Sequence, residues 1–114
     1  MKLLSCLLAG LAVATLFACG CVRKNLTTPE IYELYCTRCH GDRGQGDPRS
    51  LTLYPHANLL VSPMTLRGDR AAIRQRIAEG YGPMPGFKRR LTPKEVEGLV
   101  DYTLQLSRTS KENP

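Results

Sequence analysis

Apolar residues recur at helical spacing in three stretches of the chain, and each stretch opens on a capping residue. The first is Leu26-Thr27-Thr28-Pro29-Glu30-Ile31, running on through Tyr32, Leu34 and Tyr35. Thr27 and Glu30 have capping-box spacing, Leu26 and Ile31 can form a hydrophobic staple, and Thr28 with Pro29 is an equally good start. The last stretch, Leu91-Thr92-Pro93-Lys94-Glu95-Val96, repeats that grammar. It continues into a stripe of Val96, Leu99, Val100 and Thr103, with Tyr102 and Leu106 beside it. Between them Asp69 can cap a helix from Arg70 to Glu79, with Ala72, Ile73 and Ile77 facing inward and Gly80 closing it. No segment alternates with period two, so the chain reads as all-α, three to four helices with little or no sheet. Gly41 to Pro63 is rich in Gly, Pro, Asp and Asn and reads as long loops, a length that calls for a function such as wrapping a bound group.

The N-terminus has a different pattern. Met1-Lys2 precedes an apolar run from Leu3 to Ala18, the form of a secretory signal. The run ends in Leu16-Phe17-Ala18-Cys19, which resembles a bacterial lipoprotein cleavage box. That resemblance implies that Cys19 is lipidated and becomes the new N-terminus. Phe17 is bulkier than the usual residue at its position, and Cys21 is a weaker candidate for the lipid. An uncleaved membrane anchor is the alternative, but Arg23-Lys24 would then have to be translocated. The expected organisation is signal peptide 1–18, tether 19–26, one domain 27–107 and a polar tail 108–114. On either reading the domain is exported and lies at a membrane surface, on the periplasmic side of a bacterial membrane.

Cys36-Thr37-Arg38-Cys39-His40 carries the chemistry. CxxCH is the spacing for covalent haem attachment, each thiol adding to a vinyl group and the histidine lying where it can bind the iron. A thiol–disulfide pair would need a βαβ pattern, and none is visible. A structural zinc site needs about four ligands, and beyond these three only His56, Cys19 and Cys21 are on offer. The remaining cysteine, Cys6, leaves with the signal, and a bridge between Cys19 and Cys21 would be strained, so no structural disulfide is expected. A domain this small buries a modest core, and one covalently held haem c would supply the missing centre.

From Leu26 to about Ser107 the chain resembles a class I cytochrome c. The resemblance implies that family's all-α fold, with an N-terminal helix ending in CxxCH and a C-terminal helix crossing it. Tyr32 and Tyr102 occupy the places of an aromatic pair at that crossing. Gly82-Pro83-Met84-Pro85-Gly86-Phe87 resembles the family's methionine-ligand loop, which makes Met84 the sixth iron ligand opposite His40. His/Met ligation raises the reduction potential. Met64 and His56 are the competing sixth ligands. In the family a proline carbonyl accepts the histidine's other ring N–H. Pro55 is the candidate here and Pro48 the runner-up. Tyr54, Asn58 and Arg67 are candidates for the haem propionates.

Sixteen basic and ten acidic residues give a net charge of +6, which loses one with Lys2. Lys88-Arg89-Arg90 is the densest cluster and follows the methionine loop. It reads either as a docking patch for acidic redox partners or as a solvated or lipid-contacting turn. A nucleic-acid role finds no aromatic-interleaved basic face. The expected function is one-electron transfer by a membrane-tethered monohaem protein cycling between ferric and ferrous iron, not an enzyme and with no small-molecule substrate. The alternatives are a cytochrome subunit of a larger dehydrogenase or reductase, and a haem sensor or enzyme with an open sixth position.

Overall fold

The structure is a computed structural model and describes residues 25–112. The signal, Cys19, Cys21 and most of the tether lie outside the described residues. Helix α1 spans Thr28–Tyr35, and Glu30 Oε2 reaches back to accept the Thr27 N–H at 2.8 Å, as the capping box requires. Cys36 interrupts the helix, and a four-residue helix α2, Thr37–His40, carries the rest of the motif. Helix α5 is Arg70–Glu79, with Asp69 Oδ1 accepting the Ala72 N–H at 3.0 Å. Helix α6 is Pro93–Glu112, opened by a reciprocal pair: Thr92 N–H to Glu95 Oε2 at 2.7 Å and Glu95 N–H to Thr92 Oγ1 at 3.3 Å. Among the described residues there is no strand, only an isolated bridge between Tyr81 and Met84.

Two expectations need correction. The segment expected to be long loops contains helix α3 (Pro48–Leu53) and 3₁₀ turns at Pro55–Ala57 and Leu59–Val61. Helix α4, Pro63–Arg67, then begins at its last residue. Asp47 caps α3 through Oδ1, and Pro48 and Pro63 take first-turn positions where their missing N–H costs nothing. The tail expected after Ser107 is helical to Glu112, because no breaker precedes Pro114 and Ser107 is itself buried.

The core joins the two ends of the domain. Ile31 and Tyr32 of α1 pack with Leu99, Val100 and Leu104 of α6, with Ile73 and Ile77 of α5, and with Phe87 and Leu91 of the connecting segment. Leu34, two residues from Tyr32 and so on the opposite face of α1, stays exposed. Thr28 meets Gly98 and Tyr32 meets Tyr102, the rings edge-on with centroids 5.1 Å apart, so α1 and α6 run in the same sense where they touch. A Cβ on Gly98 would lie 2.7 Å from Thr28 Oγ1, so the absence of a side chain is what brings the helices this close. On the outside of α5 and α6, Arg70 bonds Asp101 at 2.6 Å and Glu97 at 3.4 Å, and Arg74 pairs with Glu97 through two nitrogens.

Candidate haem-binding site

The first three turns of the domain place the motif. The α1 hydrogen-bond ladder carries on across the kink, Cys36 N–H to Tyr32 O at 2.8 Å and His40 N–H to Cys36 O at 2.9 Å. The chain then folds back on itself. Gly46 N–H donates to His40 O at 2.7 Å, Asp47 N–H to Cys39 O at 3.0 Å and Ser50 Oγ to Arg38 O at 3.0 Å. These bonds satisfy the carbonyls that the end of α2 leaves open. Tyr32 Oη donates to Gly41 O at 2.8 Å, tying the aromatic crossing to the residue after His40. Burial pushes that phenol well above its ordinary pKa, so it remains a donor.

Cys36 and Cys39 are free thiols, Cys36 half-buried against the core and Cys39 exposed. Burial, with a smaller contribution from Cys39, pushes the Cys36 thiol up to about 12. His40 is half-buried, and burial holds its pKa below the usual imidazole range, with the Ala57 carbonyl opposing more weakly. Its Nδ1–H donates to Ala57 O at 2.7 Å, which leaves Nε2 unprotonated with its lone pair outward.

That acceptor corrects the expectation of Pro55, and of Pro48 behind it. The Ala57 N–H closes the Pro55–Ala57 turn on Tyr54 O at 2.9 Å, and the Ala57 carbonyl goes to His40. Ala57 ends the Pro55–Ala57 turn and is buried, whereas Pro55 is exposed. His56 lies beside it, exposed. Tyr54 and Arg67 are also exposed, and Asn58 Oδ1 is occupied by the Leu60 N–H at 2.9 Å.

The Met84 loop is clamped onto the end of α5. Tyr81 N–H donates to Met84 O at 2.9 Å and Met84 N–H to Tyr81 O at 3.0 Å. Phe87 N–H donates to Ile77 O at 3.0 Å and Lys88 N–H to Ala78 O at 3.1 Å. Two glycines permit this approach. A Cβ on Gly80 would stand 2.4 Å from Met84 O, and one on Gly86 2.6 Å from Glu79 O. Met84 is half-buried against the core, on which Phe87 packs 5.7 Å from Tyr35. Met64, at the start of α4, is also half-buried on that core, and its carbonyl accepts the Asp69 N–H. In the basic cluster, Lys88 pairs with Glu79 at 2.6 Å, while Arg89 and Arg90 are exposed without a carboxylate partner among the described residues.

This donor set fits a covalently held haem: two unpaired thiols, an imidazole with its second nitrogen anchored, and a half-buried thioether in a stiff loop. Among the described residues no three His, Cys, Asp or Glu side chains converge as a metal cluster of their own. Compared with known families, residues 25–102 match the model described as "Cytochrome C oxidase, cbb3-type, subunit III". The chain belongs to this family. It is therefore a c-type cytochrome, all-α, with covalently bound haem c and electron transfer as its class of function. Among solved structures the cytochrome is similar to one titled "KustC0563 c-type cytochrome", with a TM-score of 0.61 and 26% identity. The match covers 71% of this chain and 98% of that one. No curated protein matches the cytochrome. No helix among the described residues is long and apolar enough to cross a membrane.

Proposed function

We propose that this cytochrome is a one-electron carrier with a single haem held by Cys36 and Cys39, and with His40 and Met84 as the axial ligands. The observation that carries the reading is the 2.7 Å bond from His40 Nδ1 to Ala57 O. It fixes the ring and leaves Nε2 as a neutral donor. The same bond argues against His56. The Nδ1 side of a ligating imidazole points away from the iron, so Ala57 and its neighbour His56 lie behind the proximal ligand. Met84 suits the sixth position because its loop is held by paired backbone bonds and two flanking prolines. When bound, the haem supplies a ferric/ferrous couple. The chain's own residues would hold and orient it, Cys36 and Cys39 by their thiols and His40 through Nε2.

Export and a lipid anchor at Cys19 complete the proposal, resting on the signal-like run and the box that ends it. The docking patch narrows to Arg89 and Arg90, since Lys88 is engaged with Glu79. A second reading, a cytochrome subunit within a larger respiratory complex, is favoured by the name of the matching family, which is that of an oxidase subunit. Co-purification from membranes separates a free carrier from a subunit.

The ligand assignment is tested on the ferric protein. A thioether ligand gives a weak absorption band near the red edge of the visible range. The band should vanish in Met84→Ala and persist in Met64→Leu. The opposite pattern, or rapid carbon monoxide binding by the native ferrous protein, overturns the assignment.

A further inference from the structure

Helix α2 carries Cys39 and His40, yet none of its residues is fully buried. Helix α3, which bonds it through Ser50, has no fully buried residue either. Burial therefore does not fix the motif, and a helix of four residues is too short to hold itself. Tyr32 supplies the tie to the core. It is 3% exposed, and its ring packs edge-on against Tyr102 of α6. Its carbonyl accepts the Cys36 N–H at 2.8 Å, and its hydroxyl donates to Gly41 O at 2.8 Å. One residue thus brackets the motif, bonded to its first member and to the residue just past its last. Gly41 is buried and turns with φ 75°, and its carbonyl also takes the Gly44 N–H at 3.3 Å. Without the hydroxyl, that carbonyl would keep only the longer bond.

We propose that Tyr32 is a positioning residue for the haem iron: its hydroxyl, through Gly41, fixes the main chain that presents His40. The imidazole is then held at two points, at Nδ1 by Ala57 O and at its backbone by way of Tyr32. The two holds come from different parts of the chain, Ala57 from the turn after α3 and Tyr32 from α1. With the backbone hold gone, His40 becomes a weaker donor. Imidazole donation favours the more highly charged ferric ion, so a weaker donor raises the reduction potential. Tyr32 acts only through Gly41 and is not itself a ligand. The proposal rests on His40 being an iron ligand and is independent of which side chain is the sixth.

Two variants of the holoprotein test it. Tyr32→Phe keeps the ring on Tyr102 and removes only the hydroxyl. Tyr102→Leu is the control, weakening the same helix crossing with the hydroxyl in place. Both are read on the folded protein, far below the unfolding midpoint. In Tyr32→Phe the His40 Nδ1 proton, followed by NMR in the ferrous state, should exchange about fivefold faster. The reduction potential should rise in the same variant. In Tyr102→Leu both should stay at the parent's values although stability falls. Parental exchange or a parental potential in Tyr32→Phe overturns the proposal. So does a shift in Tyr102→Leu as large as that in Tyr32→Phe, because general loosening would then be the cause. A His40 ring that lacks the paramagnetic shifts of an iron ligand in the ferric parent would overturn the ligand assignment itself, and this proposal with it.

Discussion

Gly80→Ala isolates the part of the fold that holds Met84. Gly80 has φ 77° and ψ −177°, a region essentially reserved for glycine. Forcing alanine there costs about 1–3 kcal/mol in backbone strain alone. The added Cβ would also stand 2.4 Å from Met84 O, 2.6 Å from Gly86 N and 2.7 Å from Pro85 C. All three are backbone atoms, so no side chain can swing aside. Met84 O accepts the Tyr81 N–H, and moving it loses that bond, worth about 0.5–1.5 kcal/mol. The total is about 1.5–4.5 kcal/mol. It falls on the loop, because Ile73 and Ile77 of α5 are anchored in the core. Denaturant unfolding of the ferric holoprotein should show a lower midpoint, and the thioether band should weaken or vanish. Haem should remain attached, since Cys36 and Cys39 are remote in sequence. An alanine variant with the parent's midpoint and band would refute the claim that this contact positions the thioether.

Three further substitutions probe the frame. Tyr32→Phe keeps the ring against Tyr102 and removes the bond to Gly41 O, so stability should fall by about 1 kcal/mol in denaturant unfolding. Phe87→Ala empties a buried site beside Tyr35 and should cost about 3–5 kcal/mol by the same assay. Glu97→Gln tests the exposed pairing of α5 with α6. The side-chain bond from Arg74 is the main cause holding the Glu97 carboxyl below its ordinary pKa, with Arg70 adding to it. A carboxylate with a depressed folded-state pKa stabilises above its unfolded pKa, and the contribution fades as pH falls through the folded value. The gap between Glu97→Gln and the parent should therefore be present at neutral pH and close under acid, and it should shrink with salt. A gap that widens on acidification would contradict this pairing.

The three longer helices were legible because each carries its start signal next to an apolar stripe. Helices α3 and α4 carry the same signal, Asp47-Pro48 and Ser62-Pro63, but are too short to show a period. Punctuation alone could have found them. The motif Cys36–His40 was legible because its spacing is local. The His40 acceptor was not, since it depends on which residue of a short 3₁₀ turn is turned inward. Nor were the Lys88–Glu79 pair and the bracing of Tyr81 by Arg76, which exist only once α5 ends at Gly80 and the chain doubles back.

The close meeting of Thr28 with Gly98 and of Tyr32 with Tyr102 has a mechanical consequence. Whatever precedes Asn25 pulls on the domain through α1. Because α1 and α6 run in the same sense, such a load shears their contacts together instead of peeling them one at a time. Ile31, Tyr32, Leu99 and Val100 share the strain. Tension on the leading end of the chain therefore also reaches the Cys36–His40 motif, along the continued ladder of α1 and through the Tyr32–Gly41 bond.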